Sequence, residues 1–334
     1  QATNNWHAIL SEADKTSQVD ALLTVVRREY GENTQLGEAV TAWRAGGGEV
    51  PPSIRAAVSA VSVSQPHQPA PESARPLSTP IDFDWVTIAA GEFLMGSDKQ
   101  QDALAQDNEL PQHRLYLPEY RIARVPVRVA QFEQFVQATN YKTVAEEKGS
   151  GYVYTGTKWE DVKGAFWAHP RGPKSDVKQK ANHPVTCVAW RDALAFCAWA
   201  QVRLPTEAEW EKAARGTDDR IYPWGNSNPD KERCNFNMHV GDTTPVSHYP
   251  KGASPYGVLD MAGNVWEWTS TQWLDDYRGY VGKADDNAEG DERRVLRGGS
   301  FNYYEFNVRC AYRFFYYPDS RFNNVGFRVV SPGR

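Results

Sequence analysis

The chain is poor in cysteine. Its 334 residues hold four, Cys187, Cys197, Cys234 and Cys310, and none stands in a C-x-x-C pair. A disulfide framework, a thiolate zinc site and dithiol redox chemistry are therefore excluded, and buried free thiols are what remain. A surplus of basic charge is missing too: 37 Lys and Arg face 42 Asp and Glu, a net charge of −5. Nothing in such a balance concentrates a polyanion, so nucleic acid is not an expected partner. No run of about 18 apolar residues occurs, so no membrane-spanning helix is expected. The stretch Gln1 to Ala13 lacks the basic-then-apolar order of a secretion signal, and a cytoplasmic location is the expectation. What the chain does have is aromatic side chains, with 12 Trp, 16 Tyr and 13 Phe, more than a core of this size requires.

The texture changes along the chain. Residues 17–31 place Val19, Leu22, Leu23 and Val26 at helical spacing between Ser17, a candidate N-cap, and Gly31, a stop. A short second helix is expected after Asn33, and a third from Ile54 to Val63 behind Pro51 and Pro52. Residues 1–63 thus read as a small all-α module, below the size that usually stabilises a core alone. The stretch 64–80, SQPHQPAPESARPLSTP, has the composition of an extended linker. From residue 81 to 334 the pattern is short strand-like runs and Gly/Pro turns, with helices expected over 130–139, 190–200 and 206–215. In the last, Thr206 and Glu209 stand at capping-box spacing.

Within 81–334 a series of landmarks follows in fixed order: FLMGS at 93–97, HPVTCVAW at 183–190, RLPTEAEWEKAARG at 203–216, YPWGN at 222–226, YGVLDMAGNVWEWT at 256–269, RVLRGGSF at 294–301 and GFR at 326–328. This order resembles the formylglycine-generating-enzyme (sulfatase-modifying factor) family. The resemblance covers about 250 residues and implies an α+β fold of the C-type-lectin-like kind. It also implies an oxidase that uses paired cysteines just after GGS to hold copper and the substrate thiol. Here positions 302–309 read NYYEFNVR, with Cys310 alone behind them. One thiol cannot supply both a soft-metal site and disulfide exchange, so no catalytic residue and no copper are expected. Sulfoxide synthases related to the family carry iron histidines in an added helical domain, but residues 1–80 contain only His7 and His67. A formylglycine-type oxidase or related metal enzyme is the alternative reading.

The resemblance further implies a structural Ca²⁺ site formed by the side chains of Asp260 and Glu267 and the carbonyls of Gly263 and Val265, a hard-oxygen set suited to that ion. The competing expectation is that these carboxylates pair with arginine. The family's other calcium loop looks shortened around Asn235 and Asp242.

Residues 301–324, FNYYEFNVRCAYRFFYYPDSRFNN, concentrate ten aromatics and four Asn, with Val308 the only branched aliphatic. Neither the alternation of a half-buried strand nor the Val, Ile and Leu run of a core strand is present. Tyr supplies rigid contact area and Asn adaptable hydrogen bonding, which is paratope chemistry. Once the positions matching the family pattern are set aside, fourteen remain: Asn302, Tyr303, Tyr304, Phe306, Asn307, Tyr312, Phe314, Phe315, Tyr316, Tyr317, Ser320, Phe322, Asn323 and Asn324. All are Asn, Tyr, Phe or Ser, residues encoded by triplets reachable from AAC or AAT by changing adenines alone. The segment resembles the variable region of a diversity-generating retroelement target protein. That resemblance implies a diversified binding face for a protein or other macromolecular ligand. An undiversified sugar or peptide groove, and an aromatic core, are the competing readings; the core would bury many unpaired polar atoms. More loosely, VVRREYGENTQLGEAV at 25–40 resembles the effector-associated or death-like adaptor domains of bacterial conflict systems, which implies a helical partner or effector for residues 1–63; a plain helical spacer is the competing reading.

Overall fold

The computed structural model describes residues 81–287 and 289–332. The expected helical module at 1–63 and the linker at 64–80 lie outside the described residues. The elements are, in chain order, β1 (Trp85–Ile88), β2 (Gly91–Met95), β3 (His113–Leu117), β4 (Tyr120–Ala123), α1 (Val129–Thr139), α2 (Val144–Lys148), β5 (Ser150–Tyr154), β6 (Trp159–Lys163), α3 (Trp190–Ala200), α4 (Glu207–Arg215), β7 (Trp266–Gln272), α5 (Tyr280–Lys283), β8 (Arg294–Arg297), β9 (Arg313–Tyr316) and β10 (Val325–Phe327). Long loops separate short elements, as the turn-rich sequence leads one to expect.

The three expected helices stand at 129–139, 190–200 and 207–215. Thr206 caps α4: its hydroxyl accepts from the Glu209 N–H at 3.1 Å while the Glu209 carboxylate accepts from the Thr206 N–H at 2.9 Å. Two of the helix's orphan donors are thereby satisfied, which fixes where it starts. Its sequence looks amphipathic, yet all nine residues are buried; Arg297 and Arg313 from distant segments neutralise Glu207 and Glu211, and Arg203, just ahead of the helix, pairs with Glu209.

The central sheet has the order β10-β7-β8-β9, with β10 parallel to β7 and the other pairs antiparallel. Three two-stranded ladders, β1-β4, β2-β3 and β5-β6, make up the remaining strands. Trp266, Trp268, Leu296, Val325 and Phe327 from the sheet pack with Phe132 and Phe135 of α1 and Trp190 and Phe196 of α3 in the largest buried cluster. Burial of this kind contributes about 25 cal/mol per Å² of apolar surface, which favours short strands anchored by large aromatics. The edge strand β9 carries part of the aromatic segment, and Gly299 sets the segment's entry. At φ +73°, a Cβ there would stand 2.7 Å from a Val308 methyl and 2.9 Å from the Asn307 carbonyl oxygen, so no other residue fits without movement.

Candidate functional site

The aromatic segment is fastened from beneath by its arginines. Arg309, fully buried, forks onto Glu109 at 2.6 and 2.8 Å and reaches Asp102 at 2.5 Å. Arg313, at the start of β9, forks onto Glu207 of α4 at 2.7 and 2.9 Å. Arg297 of β8 joins the same carboxylate at 2.9 Å and Glu211 at 2.6 Å, and donates to the Cys310 carbonyl at 2.5 Å. Planar forks on buried carboxylates fix direction as well as position. Arg321 is held by the Ser150 carbonyl at 2.7 Å and lies over the Tyr152 ring.

Above this base the rings form a layer. Trp266, fully buried, is its floor: Tyr303, Tyr312 and Phe314 lie with ring centroids 5.3, 5.9 and 5.7 Å from it. The layer continues from Phe314 to Tyr316 at 5.2 Å and from Tyr316 to Phe322 at 4.2 Å, and in the other direction from Tyr312 to Phe306 at 5.8 Å and on to Tyr304 at 6.2 Å. Tyr304 and Tyr317 are each 61 % exposed and Phe306 36 %, while Tyr303, Tyr312, Phe314, Phe315, Tyr316, Phe322, Asn302 and Ser320 are half-buried. An aromatic core would have hidden these rings, and none of the segment's nine Tyr and Phe candidates is buried. The phenols of Tyr303 and Tyr316 are hydrogen-bonded to each other, and burial pushes both upward, so this part of the face carries no charge at neutral pH.

Four of the fourteen candidates depart from the expected single face. Asn307, Asn323 and Asn324 are buried and serve the fold. The Asn307 side chain accepts from the Tyr304 N–H at 3.0 Å, Asn323 from the Tyr154 N–H at 3.0 Å, and Asn324 donates to Ser300 Oγ at 3.0 Å and Asn302 Oδ1 at 2.9 Å. A buried amide turned into the fold is not open to a ligand on the face. Phe315 falls on the other side of β9, because side chains alternate along a strand; there it meets Trp273 at 4.7 Å, under the Arg293 guanidinium. Conversely, Tyr152, Tyr154 and Trp159 of the β5-β6 hairpin join the layer. Phe322 stacks on Tyr152 and meets Trp159 edge-on, each at 5.0 Å. The alternation in GYVY, followed by a glycine turn and Trp159, is the signal that marks such a hairpin in the sequence.

The expected calcium cage does not fit its donors. Both Glu267 oxygens are taken, by Arg328 at 2.5 and 2.7 Å and by the Trp210 indole N–H at 2.7 Å, and the side chain is fully buried. Glu267 is thus the arginine partner of the competing expectation, with its charge already answered. Asp260 accepts from the Ser247 N–H at 2.9 Å and has only the Asn264 amide, at 3.5 Å, besides. Gly263 and Val265 are left with one uncommitted carboxylate nearby. Asp242, of the shortened loop, is paired with Lys180 at 2.6 Å.

Burial pushes Asp260 up to about 6, which makes it a test of the site. A carboxyl raised in the folded state stabilises the fold fully below its unfolded value, and this contribution is lost as pH rises through about 6. Asp260→Asn is therefore expected to raise the urea midpoint above pH 6 and to change little at pH 4. A carboxylate that holds a cation gives the opposite sign at neutral pH, a loss that chelator abolishes.

All four cysteines are unpaired and buried. Burial drives the Cys310 and Cys187 thiols up to about 12, and Cys197 and Cys234 upward as well, the reverse of what a nucleophilic or metal-binding thiolate needs.

Residues 73–332 match the model of the sulfatase-modifying factor enzyme 1-like domain. The formylglycine-generating enzyme of Mus musculus is 37% identical over 280 residues, covering 74% of each chain, and the inactive C-alpha-formylglycine-generating enzyme 2 of Bos taurus is 33% identical over 284 residues, covering 74% of this chain and 87% of the relative. Among solved structures, Treponema denticola variable protein 1 superposes with a TM-score of 0.54 at 22% identity, over 77% of this chain and 98% of that one, which is a likeness of fold. The aromatic layer therefore sits on an α+β, C-type-lectin-like scaffold, and the chain belongs to the sulfatase-modifying factor family of formylglycine-generating enzymes and their inactive relatives.

Proposed function

We propose that this chain is a non-catalytic recognition protein whose C-terminal domain displays a diversified Tyr-, Phe- and Asn-rich face to a macromolecular ligand. The observation that carries the reading is the aromatic layer itself: rings from one segment stand half-open to solvent above arginines whose charges are spent within the fold. Adjoining aromatic rings left open to solvent are uncommon without a binding role. Family membership does not require oxidase chemistry, since the family includes members named inactive. Cys310 stands without a neighbouring sulfur, behind a segment, 302–309, that has no cysteine.

Diversification is the part of the proposal that rests on residue choice. The fourteen non-framework positions use only Asn, Tyr, Phe and Ser, all of which adenine-directed changes in an Asn codon can reach. The likeness to a protein named variable protein 1 adds the fold alone. In the same proposal, residues 1–63 supply an assembly or signalling module, and the protein acts in the cytoplasm.

Two measurements test the reading. An adenine-rich near-copy of the codons for 298–330, next to a reverse transcriptase gene, is the expected genomic context; its absence removes diversification and leaves a fixed groove. Purified full chain with copper and oxygen is expected to leave a cysteine-bearing peptide unchanged. Conversion to the aldehyde, stopped by Cys310→Ser, establishes the oxidase instead.

A further inference from the structure

We infer that the β5-β6 hairpin is a second, fixed half of the binding face, and that the composite face takes a folded protein. The inference rests on the recognition reading above and adds residues from outside the aromatic segment.

The hairpin is built into the face. The Tyr152 N–H donates to the Arg321 carbonyl at 2.9 Å, the Asn323 N–H donates to the Tyr152 carbonyl at 2.9 Å, and the Tyr154 N–H donates to the Asn323 side chain at 3.0 Å. These bonds seat one side of β5 along the end of the segment. Gly151 and Val153 point into the protein, while Tyr152 and Tyr154 alternate outward and stay half-exposed. Trp159, across the turn, is half-exposed as well and stands 5.4 Å from Tyr154 and 5.0 Å from Phe322. None of the three belongs to the Asn, Tyr, Phe and Ser filler of 301–324. They are thus present whichever residues occupy the variable positions.

Breadth and charge identify the occupant. From Tyr304 to Trp159 each ring lies within 6.2 Å of the next, with the buried Trp266 as the link between Tyr312 and Phe314. A single sugar covers one or two rings, whereas a protein interface buries about 800 Å² on each side, with Tyr and Trp as anchors. The segment's cations are spent on carboxylates and carbonyls within the fold, and Glu305 is exposed at one end, so nothing recommends a phosphate polymer.

The test uses the full chain and a yeast-displayed library of one small helical domain as probe, with a glycan array in parallel. Selected domains are expected to lose at least about tenfold in affinity toward Trp159→Ala and Tyr152→Ser, as anchor residues do. Affinity should return with Trp159→Tyr, which keeps a ring in place. The same domains should lose affinity toward Tyr304→Ser and Phe306→Ser, two exposed rings of the layer, and none toward Tyr116→Ser, an exposed site on β3. Sensitivity to the Tyr304 and Phe306 variants but not to the hairpin variants overturns the hairpin's role and leaves the recognition reading standing. Insensitivity to all four overturns that reading itself. Glycan binding that depends on these positions, with no domain selected, overturns the protein partner.

Discussion

Glu207→Ala should cost about 3–5 kcal/mol of folding stability, the range for a buried ion pair left with one partner. Glu207 takes three guanidinium bonds, one from Arg297 at 2.9 Å and two from Arg313 at 2.7 and 2.9 Å, and the Tyr277 hydroxyl at 3.1 Å besides. Arg297 retains Glu211 when Glu207 is removed, but Arg313 retains only the carbonyls of Asn108 and Leu274 and the faces of the Trp273 and Tyr277 rings, none of which carries a negative charge. A guanidinium with no accessible surface then stays charged without a counter-charge. Total stability for domains of this kind is about 5–15 kcal/mol, so the loss is a large fraction of it. The exposed pair of Arg114 and Glu92, 3.8 Å apart, is the control, and Arg114→Ala should change stability by less than about 1 kcal/mol. Urea denaturation measures both; equal effects for the two variants would show that the buried network is not what holds the segment.

Trp266→Ala is expected to cost about 3–5 kcal/mol, whereas the triple variant Tyr304→Ser, Phe306→Ser, Tyr317→Asn should stay within about 1 kcal/mol of the parent. The contrast follows from position. Trp266 has no accessible surface and touches three rings of the layer, so its removal leaves a cavity under them. The other three are the most exposed aromatics of the segment. Calorimetry gives the comparison, and a triple variant that melts with Trp266→Ala would mean that the layer is core after all.

Much of this was legible in the sequence. The capping box announced α4, and the ordered landmarks announced the fold. The crowding of Tyr and Asn pointed away from a core, although 313–316, where no strand was expected, form the edge strand β9. What the sequence hid were pairings across distance. Asn307, Asn323 and Asn324 have the same side chain as Asn302, and only the geometry of the loop decides which amides turn inward. Glu267 meets Arg328 61 positions away, a partner that a carboxylate-rich loop does not reveal. The hairpin's rings join the site through backbone bonds to Arg321 and Asn323, so composition alone gave no reason to group them.

The fork of Arg313 on Glu207 also governs what change in this segment can do. A strand that slips by one residue turns every side chain to the opposite face, and slippage is most easily tolerated where the side chains are alike. Phe314, Phe315 and Tyr316 are nearly alike, and β9 lies at the edge of its sheet, where no second neighbour fixes its position. Arg313 supplies the missing reference point, because its two bonds to a buried carboxylate cannot be remade one step along. Whatever stands at 314 and 316 is therefore aimed at the layer over Trp266, and whatever stands at 315 is aimed away from it. Exchange among Asn, Tyr, Phe and Ser at 314 and 316 can rewrite the texture there without disturbing its aim, which is the mechanical condition for one strand to carry many surfaces.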